Sequence, residues 1–206
     1  MTQTTQPTVE DIAYVRQLAE SGARAPLTGG RFIAWWGLVV ALAWTAHHLA
    51  LKGVIGDGRW IFVIIWGTVS LVGVAGQLLL ARGMPAMAGE GSAGNRASRS
   101  AWLAAAAAIV AMVVGCVIAS RTAGYGVFDW IVPVAFAGYA SAQFVTGSLA
   151  GNRTIMMAGA GAIAMTGIFT AFIFHPDRYL FAVAGVVLTV LLPGLLLLRA
   201  EPRARD

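Results

Sequence analysis

Six stretches of about 20 apolar residues dominate this chain: 32–51, 60–80, 101–120, 128–149, 155–174 and 179–198. Apart from Asp129 at the start of the fourth, they contain no Asp, Glu, Lys or Arg. A helix rises ~1.5 Å per residue, so each stretch is long enough for the ~30 Å hydrocarbon core of a bilayer. Lipid offers no partner to backbone N–H and C=O groups, which obliges such segments to be helical. The sequence therefore predicts an all-α polytopic membrane protein with six transmembrane helices. Residues 1–31 form an N-terminal segment, 32–198 the six-helix domain and 199–206 a tail.

Composition narrows the function classes. Charged residues make up 11% of the 206 residues, against about 25% in soluble domains, and little chain is left over for a soluble domain. The net charge is +5, but the basic residues are scattered singly through loops and tails, so no nucleic-acid partner is expected. Cys116, the one cysteine, lies inside the third stretch and offers neither a disulfide nor a CxxC pair. The mostly polar first 31 residues do not read as a cleavable secretory signal. Residues 83–100 are rich in Gly, Ala and Ser and read as a flexible linker; Walker spacing with its Lys is missing.

Lys and Arg are retained on the cytoplasmic side of a membrane. One set of connecting segments carries Arg16, Arg24, Arg31, Arg82, Arg96, Arg99, Arg153, Arg199, Arg203 and Arg205; the other carries Lys52, Arg59, Arg121 and Arg178. Ten against four predicts that both termini are cytoplasmic.

Residues 8–21 carry a helix signature ahead of the first apolar stretch. Thr8 is a candidate cap, Glu10 and Asp11 suit the positive helix end, and Gly22 is a natural stop. Val9, Ile12, Val15 and Ala19 recur at helical spacing, giving an apolar stripe that something must cover. It either rests on the bundle or the lipid headgroups, or docks a soluble cytoplasmic protein.

A repeat is visible as well. Each odd-numbered stretch follows a triplet: Gly29-Gly30-Arg31, Gly94-Asn95-Arg96 and Gly151-Asn152-Arg153. Each even-numbered one opens with a charged–aromatic pair: Arg59-Trp60, Asp129-Trp130 and Arg178-Tyr179. Arg anchors suit the cytoplasmic face and aromatic rings the outer interface. Three parallel helical hairpins are expected, related by an axis along the membrane normal. With its span number, its length and a Gly-rich second stretch (Trp66-Gly67-Thr68 through Gly76), the chain resembles the HdeD-type acid-resistance membrane proteins of bacteria. The run from Asp11 to Glu20 followed by Gly29-Gly30-Arg31 is similar to the start of uncharacterised bacterial six-span membrane proteins. These resemblances imply a location in the bacterial inner membrane and bring no known active site.

Small residues let membrane helices approach closely. Ala107, Ala111, Gly115 and Ala119 in the third stretch, Gly147-xxx-Gly151 ending the fourth, and Ala160, Ala164 and Gly167 in the fifth predict that stretches three to five form the tight centre. The first two stretches hold five of the seven tryptophans and are expected at the periphery. A homo-oligomer seam is the alternative use of such small-residue faces. Pro133 and Pro193 should kink or loosen their helices.

Few residues could carry chemistry. His47, His48 and His175 all map to the outer side and are candidate metal or haem ligands or pH-responsive contacts, against the plainer reading of interfacial histidines. Tyr139, Gln143 and Thr146 form a polar stripe on the fourth stretch, with Gln77 on the second, fitting either a solute cavity or hydrogen bonds between helices. Neither an HExxH nor a Gly-x-Ser-x-Gly pattern occurs. The expected function is a non-enzymatic accessory or sensory membrane module without a cofactor, docking a protein through Val9, Ile12, Val15 and Ala19. A small channel or carrier for a neutral solute is the alternative, and an outer-side haem or metal protein a further one.

Overall fold

The computed structural model describes residues 29–56, 58, 60–82 and 92–200, all helix or short connection with no strand among them. The helices are α1 (Gly30–Leu51), α2 (Trp60–Arg82), α3 (Ala93–Ala123), α4 (Ile131–Ala150), α5 (Arg153–Ala171), α6 (Arg178–Val186) and α7 (Leu192–Ala200). A 3₁₀ turn, Tyr125–Trp130, leads into α4, and a π turn, Val187–Leu191, joins α6 to α7 as one rod. Five helices are long and apolar enough to cross a membrane: α1, α2, α3, α5 and the composite α6–α7. The predicted helix over 8–21, with Val9, Ile12, Val15 and Ala19, lies outside the described residues.

Local chemistry explains the helix ends. α3 begins eight residues earlier than the sequence predicts, because Ser92 caps it by accepting from the Asn95 N–H (3.2 Å). Asn95 and Ser98 are buried, so the stretch read as the end of a linker is instead a helix turn packed on the bundle. Gly151 ends α4 with φ 60°, a left-handed conformation that favours glycine. Asn152 then caps α5 by accepting from Ile155 N–H, so two residues turn the chain. Pro133 sits in the first turn of α4, where its missing N–H costs nothing, and the kink expected there is not needed. Pro193 does disturb its helix: the π turn ends two residues before it.

The packing bears out part of the sequence expectation: α4 packs extensively on both α3 and α5, with Gly147 close against Met156. α4 is buried over nearly half of its length, and α1 and α6–α7 have 44% of each spanning window inside, whereas α2 and α3 have 11%. Another close crossing, not expected from the sequence, is antiparallel and lies between α1 and α6–α7. Gly30, Ala34, Gly37 and Ala41 form one small, buried face of α1. A Cβ on Gly30 would stand 2.5 Å from Leu198 N, and one on Gly37 2.7 Å from the Leu191 Cα. Gly194 answers from the other side, its backbone against Ala34. On another face of α1, Trp35 and Trp36 lay their rings over Gly76 and Gly73 of α2. The Ala107, Ala111 and Gly115 face of α3 points outward, with open space over Gly115. The two tryptophan-rich helices differ: α2 is peripheral, as expected, whereas α1 is central, because rings that lie on glycines allow close packing.

Candidate functional site: a polar network at the histidine end

The core residues Trp44, Phe136, Phe169 and Tyr179 fill the middle of the bundle. At the end of α1 the core gives way to charge. Trp44, His48 and Lys52 follow one another at i, i+4 and i+8 and so share a face. Past α5, the His175 Nδ1 accepts from the Asp177 N–H (3.1 Å), a turn that sets Asp177 just ahead of α6. Lys52 Nζ then reaches Asp177 Oδ1 at 2.7 Å, with His48 Nε2 3.9 Å from the same oxygen. The bond from Lys52 is the leading cause that holds the Asp177 carboxyl below its ordinary range, and the positive charge of Lys52 adds to it.

A second pair lies deeper. Arg178 Nη2 stands 3.2 Å from Asp129 Oδ2, and the Tyr179 hydroxyl donates to the other Asp129 oxygen. The guanidinium also donates to the His175 carbonyl (3.3 Å) and lies 4.8 Å over the Tyr179 ring. That ring stacks on Trp44 at 5.1 Å and meets His47 at 4.4 Å. His47 is boxed further by Phe62 and Trp44, and its Nδ1 accepts from Trp66 Nε1 (3.1 Å). An Nδ1 that accepts is unprotonated, which assigns the imidazole proton to Nε2. The network thus joins α1, α2, the turn before α4, the end of α5 and the start of α6.

The three histidines serve separate partners. His47 faces Trp66, His48 faces Asp177, and His175 shapes its own turn. Among the described residues no three His, Cys, Asp or Glu side chains converge as metal ligands would.

The polar stripe of α4 is divided between neighbours. Thr146 shares a 2.8 Å hydrogen bond with Ser98 of α3 and accepts from Trp102 Nε1 at 3.2 Å. Gln143, almost wholly buried, donates to the Thr189 carbonyl in the π turn. Pro193, four residues after Thr189, has no N–H to give that carbonyl. Tyr139 lies between Phe136 and Trp102, 6.2 Å from each ring. Gln77 accepts from Trp36 Nε1 at 2.6 Å, on the α2 side. A cavity of ≈ 420 Å³ lies elsewhere, between α5 and α6–α7, and none of these four lines it.

The Asp129–Arg178 and Lys52–Asp177 pairs escaped the sequence reading, which took Asp129 and Arg178 as separate anchors. The available signal was opposite charge at loop mouths assigned to the same side. No protein-family model, curated protein or solved structure matches this chain.

Proposed function

We propose that this chain is a six-span protein of a bacterial inner membrane that acts, without catalysis, as an accessory or sensory module with both termini in the cytoplasm. α4 serves as the sixth span in this reading: it has 20 residues, and its buried polar groups bond to α3 and the π turn. Packing of α1 on α2 and of α3 on α4 is compatible with hairpin units, and the HdeD-type likeness rests on span number and length alone. The arginine bias supports an outward-facing histidine end.

The observation that carries the sensory role is the pair of ionic joints, Lys52–Asp177 and Arg178–Asp129, which tie the outer mouths of α1, α4 and α6. A change in outside protonation or ionic strength acts on these joints first. Output is assigned to the helix predicted over 8–21, through Val9, Ile12, Val15 and Ala19. The carrier alternative draws less support, because Gln143 and Thr146 are engaged in bonds between helices.

Site-specific crosslinking in cells tests this function. Wild type should capture a cytoplasmic protein, and Ile12→Asp should reduce the yield about tenfold or more, since a charge on an apolar docking face is costly to desolvate. Asp177→Asn should change the yield while leaving the amount of membrane protein unchanged. The proposal fails if wild type captures nothing, or if Ile12→Asp captures the same partner equally well.

A further inference from the structure

The ≈ 420 Å³ cavity opens along the side of the bundle, between α5 and the last helix. Gly161 and Ala164 give it a shallow floor, and Met157 and Met165 line it with side chains that adapt to irregular apolar shapes. Its other side includes the π turn and Pro193, a helix irregularity of the kind that recurs at functional sites. From Thr154 to Met165 it follows α5 for about 16 Å at ~1.5 Å per residue. A long, narrow, apolar groove on a membrane-facing surface matches a lipid acyl chain.

Charge distinguishes the two ends of that groove. Thr154 and Leu196 mark the end at which α5 begins and α7 finishes. Arg153 is one turn before Met157, and Arg199 three residues past Leu196, so helical register sets both beside the mouth. Both are exposed. The described part of this end also carries Arg31, Arg82, Arg96 and Arg99, whereas the described carboxylates, Asp129 and Asp177, both belong to the opposite end. We propose that the groove binds one anionic phospholipid, with an acyl chain along Gly161 and Ala164 and the phosphate between Arg153 and Arg199. This site requires only that the helices lie in a membrane, and it is independent of the sensory reading.

Native mass spectrometry of the full chain in detergent tests it, with phosphatidylglycerol or phosphatidylcholine of identical acyl chains as the probe. One phosphatidylglycerol should be retained per chain. The Arg153→Gln/Arg199→Gln double variant should weaken retention about 30-fold, the sum of two juxtamembrane arginine contacts. Ala164→Phe, at an exposed position on the groove floor, should abolish it with an unchanged thermal midpoint; Ala164→Leu is the milder filling variant should Phe destabilise the fold. Arg82→Gln, at the same end but on α2, should shift retention by less than about twofold. Equal retention of phosphatidylcholine, an equal loss in Arg82→Gln, or undiminished binding in both groove-filling variants would each overturn the site.

Discussion

Asp177 stands at the meeting of three basic side chains, with Lys52 at 2.7 Å, His48 at 3.9 Å and His175 two residues away. Its carboxyl is held below the ordinary 3.8, chiefly by the Lys52 hydrogen bond. A carboxylate with a depressed folded pKa stabilises the protein above its unfolded pKa and loses that contribution as pH falls through the folded value. Thermal unfolding in detergent should therefore show a falling midpoint below about pH 4, and Asp177→Asn should flatten that fall. An acid limb identical in the two proteins would show that the pair is idle. The effect should be modest, since Asp177 is partly exposed and exposed pairs are screened. Gln143 makes the opposite case: it is buried and engaged, and it serves the Thr189 carbonyl that Pro193 cannot reach. The sequence displays both Gln143 and Pro193, but their partnership spans two helices about 50 residues apart and has no local signature.

Among the helices, α1 carries the buried small-residue face that the sequence reading placed on α3. Gly30, Ala34, Gly37 and Ala41 bury one face of α1 against α6–α7, while Gly115 on α3 meets open space. Gly37→Leu must push apart the backbone at Leu191 and should destabilise by about 1–3 kcal/mol or more, as overpacking does. Gly115→Leu should stay within about 0.5 kcal/mol, as surface substitutions do. Detergent melting of the two variants measures the difference, and equal losses would contradict the α1–α6/α7 seam. Both stripes satisfy the same i, i+4 rule. What separates them is which neighbour arrives, and no single helix encodes that.

Across the whole molecule the two ends differ in chemistry. Six of the eight described arginines gather where α1, α3 and α5 begin, and the two described carboxylates with all three histidines lie at the other end. Fusions of a compartment-sensitive reporter after Ala200 should behave as cytoplasmic, following the ten-to-four bias. Periplasmic activity there would invert the assignment and move the histidine end to the cytosol.

The helical character of the chain was legible from residues alone, because lipid leaves an apolar stretch of 20 residues no other way to satisfy its backbone. That His47, His48 and His175 share one end of the bundle followed from helix length and hydropathy in the same way. Their partners did not. The contacts of Lys52 with Asp177, Arg178 with Asp129, and Trp66 with His47 all depend on how α1, α2 and α6 are set side by side. Hydropathy is a one-dimensional property fixed by each segment's own composition. Helix adjacency arises from the fit of glycine faces, ring edges and a proline-widened turn, a property of pairs of surfaces that exists only once the bundle has formed.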